Sequence, residues 1–239
     1  MDDKLQEDFI STVSHELRTP LTSIRGFSQT MLNSWDKLDD ETKKKFLKII
    51  EEQSNRLIHL VENILSVTKL QACNENFIIK EVNPVKIVDT VVTILSNQYK
   101  TRSFKVNVSK NLPTILADED KFQQVMTNLI ENAAKYSFEN TEIKMDLSMV
   151  GDYVSVKVTD NGCEIDKKDY ENIFKKFSRL DNPLTREVQG NGLGLYITKN
   201  LVEKMNGKIS VNSENNITTF EVLFKVYNVE NGGSQKCVR

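Results

Sequence analysis

The sequence predicts an α+β protein in two parts: an N-terminal helical hairpin, then an α/β two-layer sandwich. Three observations carry that reading. Between Lys4 and about Gln71 there is one proline and one glycine, and the apolar residues keep a helical period. After "QACNEN" the texture changes to short alternating runs of the kind half-buried strands need, separated by amphipathic stretches. A chain of 239 residues with 38% hydrophobic and 28% charged side chains has the length and composition to bury two cores.

The first helix is expected over roughly 4–33, with an apolar stripe of Leu5, Phe9, Val13, Leu17, Leu21, Ile24 and Met31. "NSWDKLDDE" holds turn-prone residues, and Asp39 or Asp40 is placed to cap the next helix. The second helix, 40–71, carries Phe46, Ile50, Gln53, Leu57, Leu60, Ile64 and Val67 in alternating steps of four and three, a heptad seam with one polar interruption. Two stripes this long exceed what two helices bury against each other. Pairing two hairpins into a dimeric four-helix bundle would cover them, as would packing on the second domain.

In the second part, "FIIKEV" and "SFKVNVS" alternate like strands around a helical stretch near 84–100. "DEDKFQQVMTNLIENAAKYS" is helical. "TEIKMDLSMVGDYVSVKVTD" reads as a hairpin turning at Gly151-Asp152. "NGLGLYITKNLVEKMN" is a helix, "GKISVNSENNITTFEVLFKV" a second hairpin, and "NVENGGSQKCVR" a frayed tail. The expected organisation is therefore 1–73, 74–228 and a tail, 229–239.

The charge balance, 32 basic against 34 acidic side chains for a net −2, gives no electrostatic case for wrapping nucleic acid. No apolar run approaches the ~20 residues that span a bilayer, and no signal peptide is expected. Cys73, Cys163 and Cys237 follow no metal-binding spacing, which favours free thiols in a reducing, cytoplasmic setting.

The candidate chemistry falls in two places. His15 lies roughly 200° around the helix from Val13, so it should face outward, with Thr19 on the same side one turn later. Glu16 is its neighbour, and Pro20, which removes the donor for the Glu16 carbonyl, should bend the helix just after it. An exposed imidazole beside a carboxylate is what a nucleophilic histidine requires. In the second part, "NLIENAAKYS" puts Asn128 and Asn132 on one helix face with Lys135 and Tyr136 beyond them, residues suited to Mg2+, phosphate and a base. "VTDNGCEI" ends a strand on Asp160, an acceptor for an exocyclic amine, with Gly162 making room beside it. "GNGLGL" supplies Gly190, Gly192 and Gly194 ahead of a helix whose free amides would cradle phosphates. The roughly 25 residues between these last two stretches, including "IFKKFSRLDN", suit a mobile flap.

Taken in order, these stretches resemble the catalytic core of the sensor histidine kinases of two-component signalling. "FISTVSHELRTPLTSIRGF" is similar to that family's H-box, "NLIENAAKYS" to its N-box, "DNGCEI" and "GNGLGL" to its two G-boxes and "IFKKFSRLDN" to its F-box. The resemblance spans residues 4 to 227. It implies a dimerisation hairpin followed by a Bergerat-type ATP-binding sandwich. His15 would be the phosphoacceptor, Glu16 its acid–base partner, and Thr19 the residue that orients water in dephosphorylating a partner. Asn132 would hold Mg2+ with Asn128 nearby, Lys135 would meet the phosphates and Tyr136 the adenine, and Asp160 would read the adenine amine beside Gly162 and Ile165. Phe177, Arg179, Gly190, Gly192 and Gly194 would form and border the lid. The implied activity is ATP-dependent autophosphorylation of His15, transfer to an aspartate on a response-regulator receiver domain, and phosphatase activity toward that regulator, in a homodimer. Gyrase-type and heat-shock-type ATPases carry a glutamate where this chain has Asn128, so Glu16 is the well-placed base and His15, rather than water, the expected acceptor. An upstream sensor, membrane-bound or supplied by a partner, is expected to provide the input.

The chain departs from the family pattern twice. Glu164 stands where D-x-G-x-G has its second glycine, and "SENNITTF" lacks glycines common before the penultimate strand. If position 164 requires a positive φ, glutamate costs roughly 1 kcal/mol or more, and its charge opposes a nucleotide. That defines the alternative reading, a degenerate kinase acting as a dimeric scaffold.

Overall fold

The computed structural model describes residues 2–72, 76–178 and 191–228, with side chains from Ile10 onward. The chain divides into two compact units, Met1–Gln71 and Ala72–Arg239.

The first unit is an antiparallel hairpin of α1 (Asp2–Ser34) and α2 (Asp40–Gln71), joined through a single 3-10 turn at Trp35–Lys37. Asp39 provides the cap of α2. Its carboxylate accepts the Thr42 amide at 2.6 Å, and that bond holds its carboxyl below the usual range. The heptad seam of α2 turns inward along its whole length, with Leu60 and Val67 fully buried. In α1 one expected seam residue does not: Leu21 is half exposed. Pro20 is buried instead, so the inward stripe runs Leu17, Pro20, Ile24, Phe27, Met31, and Leu21 lies about 100° away from it. Phe27 packs on Phe46 with ring centroids 5.0 Å apart. The helix continues unbroken through Pro20. A second apolar stripe of α2, Leu47, Ile58, Val61 and Leu65, remains exposed.

The second unit is a two-layer sandwich. Its strands are β1 (Lys80–Val82), β2 (Ser103–Val108), β3 (Ile115–Ala117), β4 (Glu142–Val150), β5 (Tyr153–Asn161), β6 (Lys208–Glu214) and β7 (Ile217–Lys225). Its helices are α3 (Pro84–Gln98), α4 (Glu119–Tyr136) and α5 (Gly194–Lys204). The main sheet has the order β2-β4-β5-β7-β6, with β2 parallel to β4 and the other pairs antiparallel. β1 and β3 form a separate two-stranded ribbon. Strand alternation sends Ile143, Met145, Val156, Val158, Val222 and Phe224 to the helix side, where the core lies. Phe224 meets Phe122 of α4 edge-on at 5.1 Å. The opposite sheet face is polar and internally paired, as in Ser155 to Glu221 at 2.6 Å and Asn107 to Asp146 at 2.8 Å.

Sequence cues account for most boundaries. Asn83 accepts the amides of Val85 and Lys86 ahead of Pro84 at the start of α3. Asp118 caps α4 through Lys121 and also takes the Ile78 amide at 2.8 Å. That second bond draws Ile78 out of any ladder, which is why "FIIKEV" forms a strand only over Lys80–Val82. Gly151 turns the first hairpin at φ 58. The second turns on Asn215 and Asn216, at φ 54 and 60, since asparagine tolerates the left-handed conformation without a glycine.

Candidate functional site

In the first unit, His15 is exposed on α1, and the Thr19 hydroxyl donates to its backbone carbonyl at 3.3 Å. Glu16 is half-buried on the face toward α2, where its carboxylate lies 3.5 Å from the Arg56 guanidinium. Arg56 is a partner that the pattern of α1 could not reveal, because it comes from the other helix. His59 is exposed and lies 3.4 Å from Glu62 on its own helix.

The second unit contains a cleft between the end of β5, the C-terminal half of α4 and the segment that follows β5. Asp160 lies at its floor. It shares the parity of Val156 and Val158, so alternation directs its side chain to the buried face, where it is 4% exposed. Among the described residues no donor pairs with this carboxylate, and burial pushes it up to about 7. A buried acceptor with no protein partner is a demand for a ligand donor. Gly162 follows two residues later. A Cβ there would overlap the Tyr136 carbonyl oxygen, so glycine is what lets the loop after β5 close on the end of α4, at the bridge between Ser137 and Gly162.

From α4, Asn132 and Tyr136 line the cleft. The Asn132 carboxamide has no hydrogen-bond partner among the described residues, which fits a hard-ion ligand. Asn128 is directed elsewhere: its amide donates to Thr198 of α5 at 3.3 Å and ties the two helices together. Lys135 lies outside the cleft lining, its ammonium held by Glu131 at 2.9 Å. Glu131 in turn accepts from the Tyr99 hydroxyl at 3.5 Å, and burial followed by the Glu131 charge pushes the Tyr99 phenol up. Cys163 and Ile165 complete the wall. Burial first, then the Asp160 charge, raises the Cys163 thiol, which disfavours its nucleophilic form.

Gly192 has φ 65, and a Cβ on it would press into the backbone of Phe177 and Ser178 at 2.7–2.8 Å. Phe177 itself has φ 57. Lys176 stands over the Tyr196 ring at 5.2 Å and Lys199 over Phe174 at 5.7 Å, fastening the segment before Phe177 to α5. At the start of α5, Leu193 offers no side-chain cap, leaving the first-turn amides for an anion. Gly194 has open space around it. Arg179 and Gly190, like Cys73, Cys237 and the part of the expected flap from residue 179 onward, lie outside the described residues.

Glu164, the departure in the first G-box, is exposed and outside the cleft lining, and its φ is not positive. The strain that would have favoured a degenerate domain is absent.

Comparison with known proteins agrees with this arrangement. Residues 5–73 match the family model of the His Kinase A (phospho-acceptor) domain. Residues 117–228 match that of the histidine kinase-, DNA gyrase B- and HSP90-like ATPases. The chain is 35% identical over 221 residues to the signal transduction histidine-protein kinase ArlS of Staphylococcus haemolyticus, covering 92% of this chain and 49% of that protein. It is 32% identical over 233 residues to the sensor histidine kinase WalK of Bacillus subtilis, covering 93% and 37%. It thus spans about half or less of the length of these curated relatives. Among solved structures, histidine kinase ThkA in complex with the response regulator protein TrrA superposes with a TM-score of 0.75 at 27% identity, covering 95% of this chain and 64% of that one. The Acinetobacter baumannii histidine kinase AdeS shares the fold, with a TM-score of 0.70 at 22% identity and coverage of 90% and 98%. Among the described residues no helix is long and apolar enough to cross a membrane. A hairpin presenting an exposed histidine, followed by a sandwich with an acceptor-floored cleft, completes the case: the chain belongs to the histidine kinases and forms their catalytic core.

Proposed function

We propose that this core binds ATP in the cleft of the second unit, transfers its γ-phosphoryl group to His15, and passes it to an aspartate of a response-regulator receiver domain. The observation that carries the reading is the buried, unpartnered Asp160 carboxylate, which has the position and acceptor chemistry to receive the adenine amine. Tyr136 and Ile165 supply apolar walls for the base, and Gly162 keeps its edge open. The uncapped start of α5, with Gly192 and Gly194, receives the phosphates, joined by Lys135 once it leaves Glu131. Phe177 borders the lid over them.

Asn132 would hold Mg2+, which when bound neutralises charge across the phosphates. The chain's own contribution is positioning. His15 is the nucleophile, and in phosphoryl transfer the attacking nitrogen and the leaving oxygen must stand in line with phosphorus. Glu16, steadied by Arg56, takes up the imidazole proton as the N–P bond forms and the bond to the ADP oxygen breaks. Asn128 carries no carboxylate and is occupied with Thr198, so it does not activate water. Thr19, on the His15 face of α1, orients the water that removes phosphate from the regulator. ThkA was solved with its response regulator, which supports a receiver domain as the partner. The exposed stripe of Leu47, Ile58, Val61 and Leu65 supports a homodimer through the hairpin.

The test is transfer of label from γ-labelled MgATP to the wild-type chain and to His15→Ala. Acid-labile label that disappears with His15 is the expected result. Label that persists in His15→Ala, or ATP hydrolysis that does not need His15, overturns the assignment.

A further inference from the structure

We propose that Glu164 is a positioning residue for the nucleotide cleft, a side-chain clip between the loop after β5 and the turn of the β6–β7 hairpin. The proposal rests on reading the cleft as the nucleotide site.

The Gly162–Ile165 loop is laced to that hairpin at each of its four residues. The Gly162 amide donates to the Asn216 carbonyl at 2.9 Å. The Thr218 hydroxyl approaches the Cys163 carbonyl at 3.5 Å. The Ile165 amide donates to the Ser213 hydroxyl at 2.9 Å, and Ser213 and Thr218, both buried, share a bond of 2.7 Å. Tyr170 steadies the far side by donating from its hydroxyl to the Ser213 carbonyl at 3.0 Å. Three of these four attachments use the loop's backbone. The fourth uses its one charged side chain: the Glu164 carboxylate accepts the Asn216 amide at 3.3 Å.

The two departures from the family pattern therefore meet in space. Asn216 offers its backbone amide there from φ 60, in a turn built from two asparagines. Glu164 reaches it from an ordinary φ. Along the extended loop, Cys163 and Ile165 face the cleft while Glu164 faces out. Fixing Glu164 on the outside therefore fixes its two neighbours on the inside, beside Asp160. A glycine at this position would leave that wall held by backbone bonds alone.

The clip and simple charge repulsion predict opposite outcomes. Repulsion by an acidic residue near a nucleotide would make every neutral replacement bind ATP more tightly. The clip requires an acceptor oxygen, with or without charge. The experiment compares Glu164→Ala, Glu164→Gln and Asp160→Ala in the full chain, reading ATP affinity by titration, KM and kcat for autophosphorylation, and melting temperature. Glu164→Ala is expected to weaken ATP binding and raise KM by about three- to tenfold, the range for one lost hydrogen bond, with kcat close to wild type and a melting temperature lower by at most a few degrees. Glu164→Gln, whose carbonyl oxygen accepts the same amide, is expected to return KM toward wild type. The proposal is overturned if Glu164→Ala binds ATP as well as or better than wild type, or if Glu164→Gln is as impaired as Glu164→Ala. Asp160→Ala, which removes the acceptor, separates the outcomes. If it abolishes binding while Glu164→Ala does not weaken it, only the clip is wrong. ATP binding that survives Asp160→Ala removes the cleft as the nucleotide site and the clip with it.

Discussion

At the scale of single residues, Asp160 concentrates both the cost and the use of the site. Its proton is held to about 7 in the folded chain, against an ordinary 3.8, because burial penalises the carboxylate. Between those values the native state binds more protons than the unfolded state. Without nucleotide, stability therefore falls as pH rises from about 4 to about 7 and stays reduced above. Asp160→Asn abolishes this dependence. Its stability should exceed that of wild type by more at pH 8 than at pH 5, the gap widening between the two by on the order of 3 kcal/mol. Equal gaps at the two pH values would show that the carboxylate is not titrating as described. Binding of an amine donor favours the ionised acceptor, so ATP affinity of the wild-type chain should rise from pH 6 to pH 8.

At the scale of elements, the glycines of one motif have different physical roles. Gly192 lies in the left-handed region, with the backbone of Phe177 and Ser178 where a side chain would go. Gly194 opens α5 with nothing within 4 Å of a Cβ. Gly192→Ala is expected to destabilise the packing of position 192 on the Phe177–Ser178 backbone by about 1–3 kcal/mol and to lower nucleotide affinity. Gly194→Ala should leave stability unchanged or raise it by up to about 1 kcal/mol, because alanine is the better helix former. Any loss should be confined to nucleotide affinity. Thermal melts of both variants, with and without ATP, check the contrast, and equal destabilisation would contradict it.

At the scale of the whole molecule, the hairpin buries one seam and leaves a second apolar stripe exposed, so assembly should follow from that stripe. Replacing Ile58 and Leu65 together by lysine is expected to convert a dimer to a monomer in light scattering, while ATP titration of the second unit is unaffected. A wild-type monomer at tens of micromolar would remove the dimer from the proposal.

Much of this was legible in the chain itself. Periodicity, caps and turns located both long helices, α3 to α5 and both hairpins, since these depend on neighbours within a few residues. Ordered motifs marked His15, Asn132, Tyr136 and Asp160. Local pattern could not reach features made by distant residues. Pro20 rather than Leu21 faces α2, β3 is three residues long and exists through its pairing with β1, and "FIIKEV" lost half its strand to the Asp118 carboxylate. The same limit held at the site. Arg56 beside Glu16, Glu131 and Tyr99 around Lys135, and Thr198 against Asn128 come from other turns or other elements. Glu164 is the sharpest case. As a sequence it is a missing glycine with an unwelcome charge, and only the folded hairpin, which brings the Asn216 amide within 3.3 Å, turns it into an attachment. The sequence by itself determined which segments are helices and strands and which residue types are available for chemistry, because those depend on local period and on side-chain chemistry. The tertiary structure decided which of them face one another, because a partner tens of residues away is chosen by packing.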